Sequence, residues 1–205
     1  MSYPEPARTN YRIRRVRGAG LLIAVAAIFA VLGYQSLASS PSPAASPSDV
    51  PRREHRRLLG EAGGALPGGT TVFDDELPGV AKLDPDLRGA LRQAAADSGI
   101  ELFVDSGWRS PAYQKQLLRQ AVSKYGSHEE AARWVATPNT SAHVSGDAVD
   151  IGPESAAAWL SEHGAGYGLC QIYGNEPWHY ELRPEARDHG CPAMYADPTH
   201  DPRMQ

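Results

Sequence analysis

The sequence predicts an exported α+β domain, in which helices come first and a small antiparallel sheet with flanking helices follows. Three observations carry this expectation. An apolar block follows an arginine cluster near the N-terminus. Apolar residues between positions 83 and 121 recur at helical spacing behind helix-capping residues. Between positions 100 and 182, short β-rich stretches alternate with turn residues. With 205 residues, 41% of them hydrophobic and 21% charged, the chain can build one packed core and still carry extra segments. A net charge of −4 argues against a nucleic-acid partner, which would call for a basic face.

Residues 1–17 read as a basic cytoplasmic tail containing Arg8, Arg12, Arg14, Arg15 and Arg17. Residues 18–38 read as an N-terminal transmembrane helix. Every residue from Ala19 to Leu32 is apolar or glycine, and the block extends to about twenty residues, enough to cross a bilayer. The preceding arginines orient the N-terminus inward. The expectation is a single-pass signal anchor in the cell membrane, with the rest extracytoplasmic. The alternative is a secreted protein, cut from a signal peptide near Ser36, Leu37 and Ala38. Residues 39–69, rich in Ser, Pro and Gly, read as a linker. The folded domain is expected over residues 70–205.

Within that domain, Asp84 is the N-cap of a helix with Pro85 at its first position, and Gly99 ends it. Leu83, Leu87, Leu91 and Ala94 share its inner face. Residues 100–106, IELFVDS, read as a strand, and GWRS as the turn after it. Ser110 and Pro111 open a second helix to Tyr125, with Tyr113, Leu117, Leu118 and Ala121 directed inward. Ser127, with Glu130 as capping-box partner, starts a third over 129–135. A polar loop covers 137–140, a strand 147–151 and a helix 154–163. Short strands at 168–173 and 178–182 flank a turn at Gly174 and Asn175. The tail from Arg183 is proline-rich and reads as irregular.

The chemistry gathers in two stretches, SAHVSGDAVDIG from Ser141 and EPWHYEL from Glu176. Along strand 147–151, Ala148 and Asp150 face one way, Val149 and Ile151 the other. A carboxylate among Val and Ile is costly to bury without a partner, and a metal ion is such a partner. Gly146 permits a sharp turn that folds His143 back over the strand. Pro177 stiffens the link between Glu176 and His179. His143, Asp150 and His179 make a three-ligand set for catalytic zinc, with a fourth position for water, whose pKa zinc lowers from about 15.7 to about 7. Glu176 then suffices as general base. The plain alternative makes His143 a solvated loop residue, Asp150 a strand-end cap, and Trp178 and Tyr180 core residues with polar neighbours. Either stretch alone fits that alternative; the two together favour the metal. Arg109, at the end of a strand, either stabilises negative charge on a tetrahedral intermediate or a substrate carboxylate, or is a surface residue paired with Glu101 or Asp105.

Serine chemistry of the Ser-x-x-Lys kind is excluded, because Gly79, Ala112 and Ala121 stand three residues before Lys82, Lys115 and Lys124. The two cysteines, Cys170 and Cys191, read as a disulfide in an exported domain. It closes a loop of about 20 residues that carries Glu176 and His179, worth roughly 3 kcal/mol on the chain-entropy account.

Ser141, His143, Gly146, Ala148 and Asp150 fit the pattern Ser-x-His-x-x-Gly-x-Ala-x-Asp in full, with SGWRSPAYQ upstream and EPWH downstream. Over about residues 78–190 the chain resembles the VanY-like D-alanyl-D-alanine carboxypeptidases, zinc peptidases of bacterial cell-wall metabolism. The resemblance implies that His143, Asp150 and His179 bind Zn2+ and that Glu176 is the catalytic base. It implies that Arg109 stabilises the transition state or the substrate carbonyl, and that Gln114 and Ser141 contact substrate. It further implies a small α+β fold shared with the hedgehog signalling domain, acting on peptidoglycan stem peptides; a monomer is the separate expectation for its assembly. Alternatives within that fold are an L,D-carboxypeptidase, a D,D-dipeptidase, a peptidoglycan endopeptidase and a non-catalytic zinc-containing wall-binding module.

Overall fold

A computed structural model of the chain describes residues 60–204. The expected basic tail, the 18–38 span and the linker up to residue 59 lie outside the described residues. Among the described residues no helix is long and apolar enough to cross a membrane.

The helix Pro85–Ser98 forms where its cap signals place it. The Asp84 carboxylate accepts hydrogen bonds from the amides of Asp86 and Leu87, and Gly99 closes the helix in the left-handed conformation at φ 66°. Ser110 caps the helix Pro111–Tyr125 through the amide of Tyr113, and Ser127 caps the helix His128–Ala132 through the amide of Glu130. A further helix spans Glu154–His163. Four short strands, β1 (Phe103–Ser106), β2 (Ala148–Gly152), β3 (Leu169–Gln171) and β4 (His179–Leu182), form one antiparallel sheet in the order β1-β2-β4-β3. The mixed helix and antiparallel-sheet class expected from the sequence is thus observed.

Strand alternation divides the sheet. Val104, Val149, Ile151, Leu169 and Tyr180 enter one apolar core with Leu83 just ahead of the first long helix, Leu87 and Leu91 from that helix and Ala156, Ala157 and Leu160 from Glu154–His163. Tyr180 is fully buried there, and its hydroxyl donates to the Ala157 carbonyl at 2.6 Å. The alternate residues Asp150, His179 and Glu181 line the opposite face. They are nearly as buried, at 9%, 5% and 1% exposure.

Three expectations need correction. The first strand begins at Phe103, three residues late, and Ile100 is 38% exposed ahead of it. The glycine-rich end of the expected linker packs on the domain: Glu61–Gly63 forms a 3-10 turn, Leu66 lies against the core, and the Ser110 amide donates to the Gly63 carbonyl. On helix Pro111–Tyr125, Tyr113, Leu117 and Leu118 are only half-buried, while Gln114 is buried at 1% exposure. That helix borders a cavity where a core contact was expected.

Candidate metal centre

Backbone geometry brings the two motif stretches together. His143 sits in a one-turn helix, Ala142–Ser145, ended by Gly146 at φ 90°. A Cβ at Gly146 would lie 2.5 Å from the Lys82 carbonyl oxygen, so only glycine lets the chain turn there against the neighbouring loop. Asp150 is the register partner of His179 across β2 and β4. Ahead of β4, a turn with Pro177 at its second position is closed by the His179 amide donating to the Glu176 carbonyl at 3.1 Å. This turn delivers Glu176 beside His179, with Glu176 Oε2 3.8 Å from His179 Nδ1.

Three donor atoms converge. His143 Nε2 lies 3.3 Å from His179 Nδ1 and 3.4 Å from Asp150 Oδ1, and His179 Nδ1 lies 3.3 Å from Asp150 Oδ1. In a tetrahedral site the distance between two ligands is about 1.6 times the metal–ligand bond. Zinc bonds of about 2.0–2.1 Å to nitrogen and oxygen therefore require edges of about 3.3–3.4 Å. The observed triangle has those edges. The outer nitrogens are also engaged, as metal-ligating histidines require: His143 Nδ1 donates to the Gly107 carbonyl at 2.9 Å, and His179 Nε2 donates to Glu181 Oε1 at 3.4 Å. Each bond leaves the inner nitrogen as the lone-pair donor. The residues fit zinc by donor type, spacing and tautomer.

Electrostatics agree with that assignment. Burial, with Arg109 nearby, holds the His143 pKa below its usual value, which favours the neutral, ligating ring. Burial works to raise the Asp150 pKa, yet His143 and Arg109 hold it well below the usual carboxylate range. Burial likewise opposes charge on His179, but its bonds to Asp150 and Glu181 raise it to about 9, so positive charge is favoured at that position. Burial pushes Glu176 up to about 7.

Arg109 pairs with neither Glu101 nor Asp105. Its Nη2 donates to Asp150 Oδ2 at 2.5 Å, its Nε to Ser106 Oγ at 2.7 Å and its Nη1 to Gln114 Oε1 at 3.3 Å. Gln114 in turn donates from Nε2 to the Ala136 carbonyl at 2.9 Å, so its amide is engaged at both ends and braces Arg109. Ser141, 6% exposed, precedes the His143 turn as its N-cap residue. Arg109, Gln114, Ser141, the three donors and Glu176 all line one cavity of about 360 Å3, whose far wall is apolar (Leu117, Ala121, Trp134, Val135) and whose rim includes Trp178, 41% exposed. The structure therefore brings together every site residue expected from the sequence. The Cys170–Cys191 disulfide is formed, tying the tail to β3.

Sequence reasoning passed over Glu181 and Tyr173, both against His179. Tyr173 has its ring centroid 5.0 Å from that of His179. The signal available for Glu181 was its period-two relation to His179 along β4.

The family model VanY, described as D-alanyl-D-alanine carboxypeptidase, matches residues 86–185. A D-alanyl-D-alanine carboxypeptidase of Enterococcus faecalis is 31% identical over 124 residues, covering 48% of this chain and 46% of that protein. The chain thus spans about half the length of this curated relative. Among solved structures, the vancomycin-resistance D,D-pentapeptidase VanY from a VanB-type cassette, in complex with Zn(II), is 28% identical. The match covers 49% of this chain and 72% of that one, with a TM-score of 0.45. The LD-carboxypeptidase LdcB is 25% identical over 62% of this chain and 71% of its own, with a TM-score of 0.48. Residues 86–185 thus match the family model of the VanY-like D-alanyl-D-alanine carboxypeptidases, and over that stretch the chain is similar to members of the family.

Proposed function

We propose that the domain is a zinc-dependent carboxypeptidase that removes the terminal D-Ala from peptidoglycan stem peptides, and that residues 18–38 tether it outside the cell membrane. The observation that supports this best is the donor triangle of His143, Asp150 and His179, open to a cavity that also holds Glu176 and Arg109. His143 Nε2, Asp150 Oδ1 and His179 Nδ1 would hold the ion. When bound, zinc supplies a Lewis acid that lowers the pKa of a neighbouring water to about 7.

The chain's own residues do the rest. Glu176 takes the proton of the attacking water as the new C–O bond forms, and hands it to the amide nitrogen as the C–N bond breaks. Arg109, fixed by three hydrogen bonds, presents a permanent cation at the cavity wall, where negative charge grows on the carbonyl oxygen. Its bond to Asp150 Oδ2 also leaves Oδ1 directed at the other donors. Leu117, Ala121, Trp134 and Val135 give the cavity an apolar wall beside these groups.

Glu176→Ala is expected to retain zinc and to lower D-alanine release by about 10²–10⁴-fold. A Glu176→Ala protein that keeps zinc and works at the wild-type rate would sink the mechanism. Mass spectrometry of products from defined muropeptides fixes the bond. Loss of a single terminal D-Ala supports the reading; release of a dipeptide or of separated crosslinked halves assigns a D,D-dipeptidase or endopeptidase instead.

A further inference from the structure

On the side of His179 away from the donor triangle lies a buried ionic cluster. Glu181, two residues along β4, faces the same side of the sheet and is 1% exposed. Its Oε2 accepts from Arg183 Nη2 and from Arg203 Nη1, each at 2.6 Å, and its Oε1 accepts from Arg203 Nη2 at 3.2 Å. Arg203 is held in turn by Asp201, which is fully buried and also accepts the Tyr173 hydroxyl at 3.0 Å. Within this cluster two carboxylates face two guanidinium groups, so the charges balance. The same oxygen, Glu181 Oε1, meets His179 Nε2 at 3.4 Å, while the Tyr173 ring lies beside the imidazole at 5.0 Å.

A strand fixes the backbone of a histidine but not the rotation of its ring, since the terminal torsion is broad and roughly two-fold. A flipped His179 would present carbon where Nδ1 now meets Asp150 and His143. A carboxylate opposite Nε2 selects one flip and one tautomer: it requires a proton on Nε2, which leaves the Nδ1 lone pair for a cation. The two arginines keep that carboxylate in place.

Resting on the metal reading above, we propose that Glu181 is a positioning residue for His179 and that the C-terminal turn carrying Asp201 and Arg203 is a working part of the metal centre. The irregular tail thereby acts on the cation through two carboxylate oxygens and one imidazole.

The test is Zn2+ affinity of the full chain, measured by competition with a chromogenic chelator. Glu181→Gln is expected to weaken Zn2+ binding about 10–100-fold, with circular dichroism unchanged. Arg203→Ala is expected to shift affinity in the same direction by a smaller factor. In nitrogen-15 spectra of the zinc-loaded wild type, His179 should carry its proton on Nε2, and Glu181→Gln should lose the slow exchange of that proton. A folded Glu181→Gln protein that binds Zn2+ within twofold of wild type overturns the proposal. Should Glu181→Gln not fold, unchanged affinity in Arg203→Ala overturns it equally. If the wild type binds no Zn2+, the metal reading itself fails, a result distinct from a wild type that binds and a variant that matches it.

Discussion

Glu176 shows how one side chain's surroundings set its task. Burial pushes its carboxyl up to about 7, and a general base works only when ionised. As pH falls through that value the proton stays on Glu176, and kcat/KM declines about tenfold per pH unit. A neighbouring divalent cation favours the ionised form, so on the proposed mechanism the acid limb with zinc bound is expected at or below about pH 7. A pH–rate profile checks this; a limb well above neutrality contradicts the assignment. At this scale the sequence was legible wherever an unusual residue forced a question. Asp150 between Val149 and Ile151 needed a partner, and its partners are the donor set and Arg109. The same argument applies to Glu181 between Tyr180 and Leu182, but only one half of its clamp, Arg183, is near in sequence; the other, Arg203, lies 22 positions on, and no local pattern announces it. Arg109 likewise reaches Asp150 across 41 positions, past the nearer acids that sequence spacing suggested.

Among the elements, helices were more legible than strands, because caps are local chemistry. Asp84, Ser110 and Ser127 each bond the amides two or three residues ahead. Asp84→Ala is expected to destabilise the domain by about 1 kcal/mol and to lower Tm by about 2–4 °C, read by calorimetry. An unchanged Tm would remove the cap from the account. Strand ends were less legible, since pairing decides them: Phe103 has a partner in Gly152, and the residues before it have none within the sheet. The inner face of helix Pro111–Tyr125 was misjudged for a related reason. Helical spacing identifies an apolar face, but a face that walls a cavity has the same spacing as one that fills a core. Leu117 and Ala121 line the cavity, and Gln114 is buried because it braces Arg109.

For the molecule as a whole, the ends of the domain decide what the sheet can do. The glycine-rich segment at 60–69 has a linker's composition, yet a Cβ at Gly64 would lie 2.0 Å from the Trp108 carbonyl oxygen, so that glycine serves close approach as well as turning. Composition alone does not separate these uses. The tail, which has little regular structure, is tied on by Cys170–Cys191 and then by Arg133 to Asp197, with Nε donating to Oδ2 at 3.0 Å. Replacing both cysteines by serine is expected to lower unfolding stability by roughly 3 kcal/mol. The shift should appear in the urea midpoint, and one of a few tenths of a kcal/mol would show that the tail holds itself in place.

The register that sets Asp150 opposite His179 makes the donor set a reporter of strand alignment. Side chains alternate along a strand, so a slip of β4 by one residue would bring Tyr180 to the donor face and turn His179 into the apolar core. A slipped sheet loses a ligand outright, with no graded weakening. On the zinc site proposed above, cation uptake would therefore report the register, and the zinc content of a preparation would count the molecules whose strands are aligned.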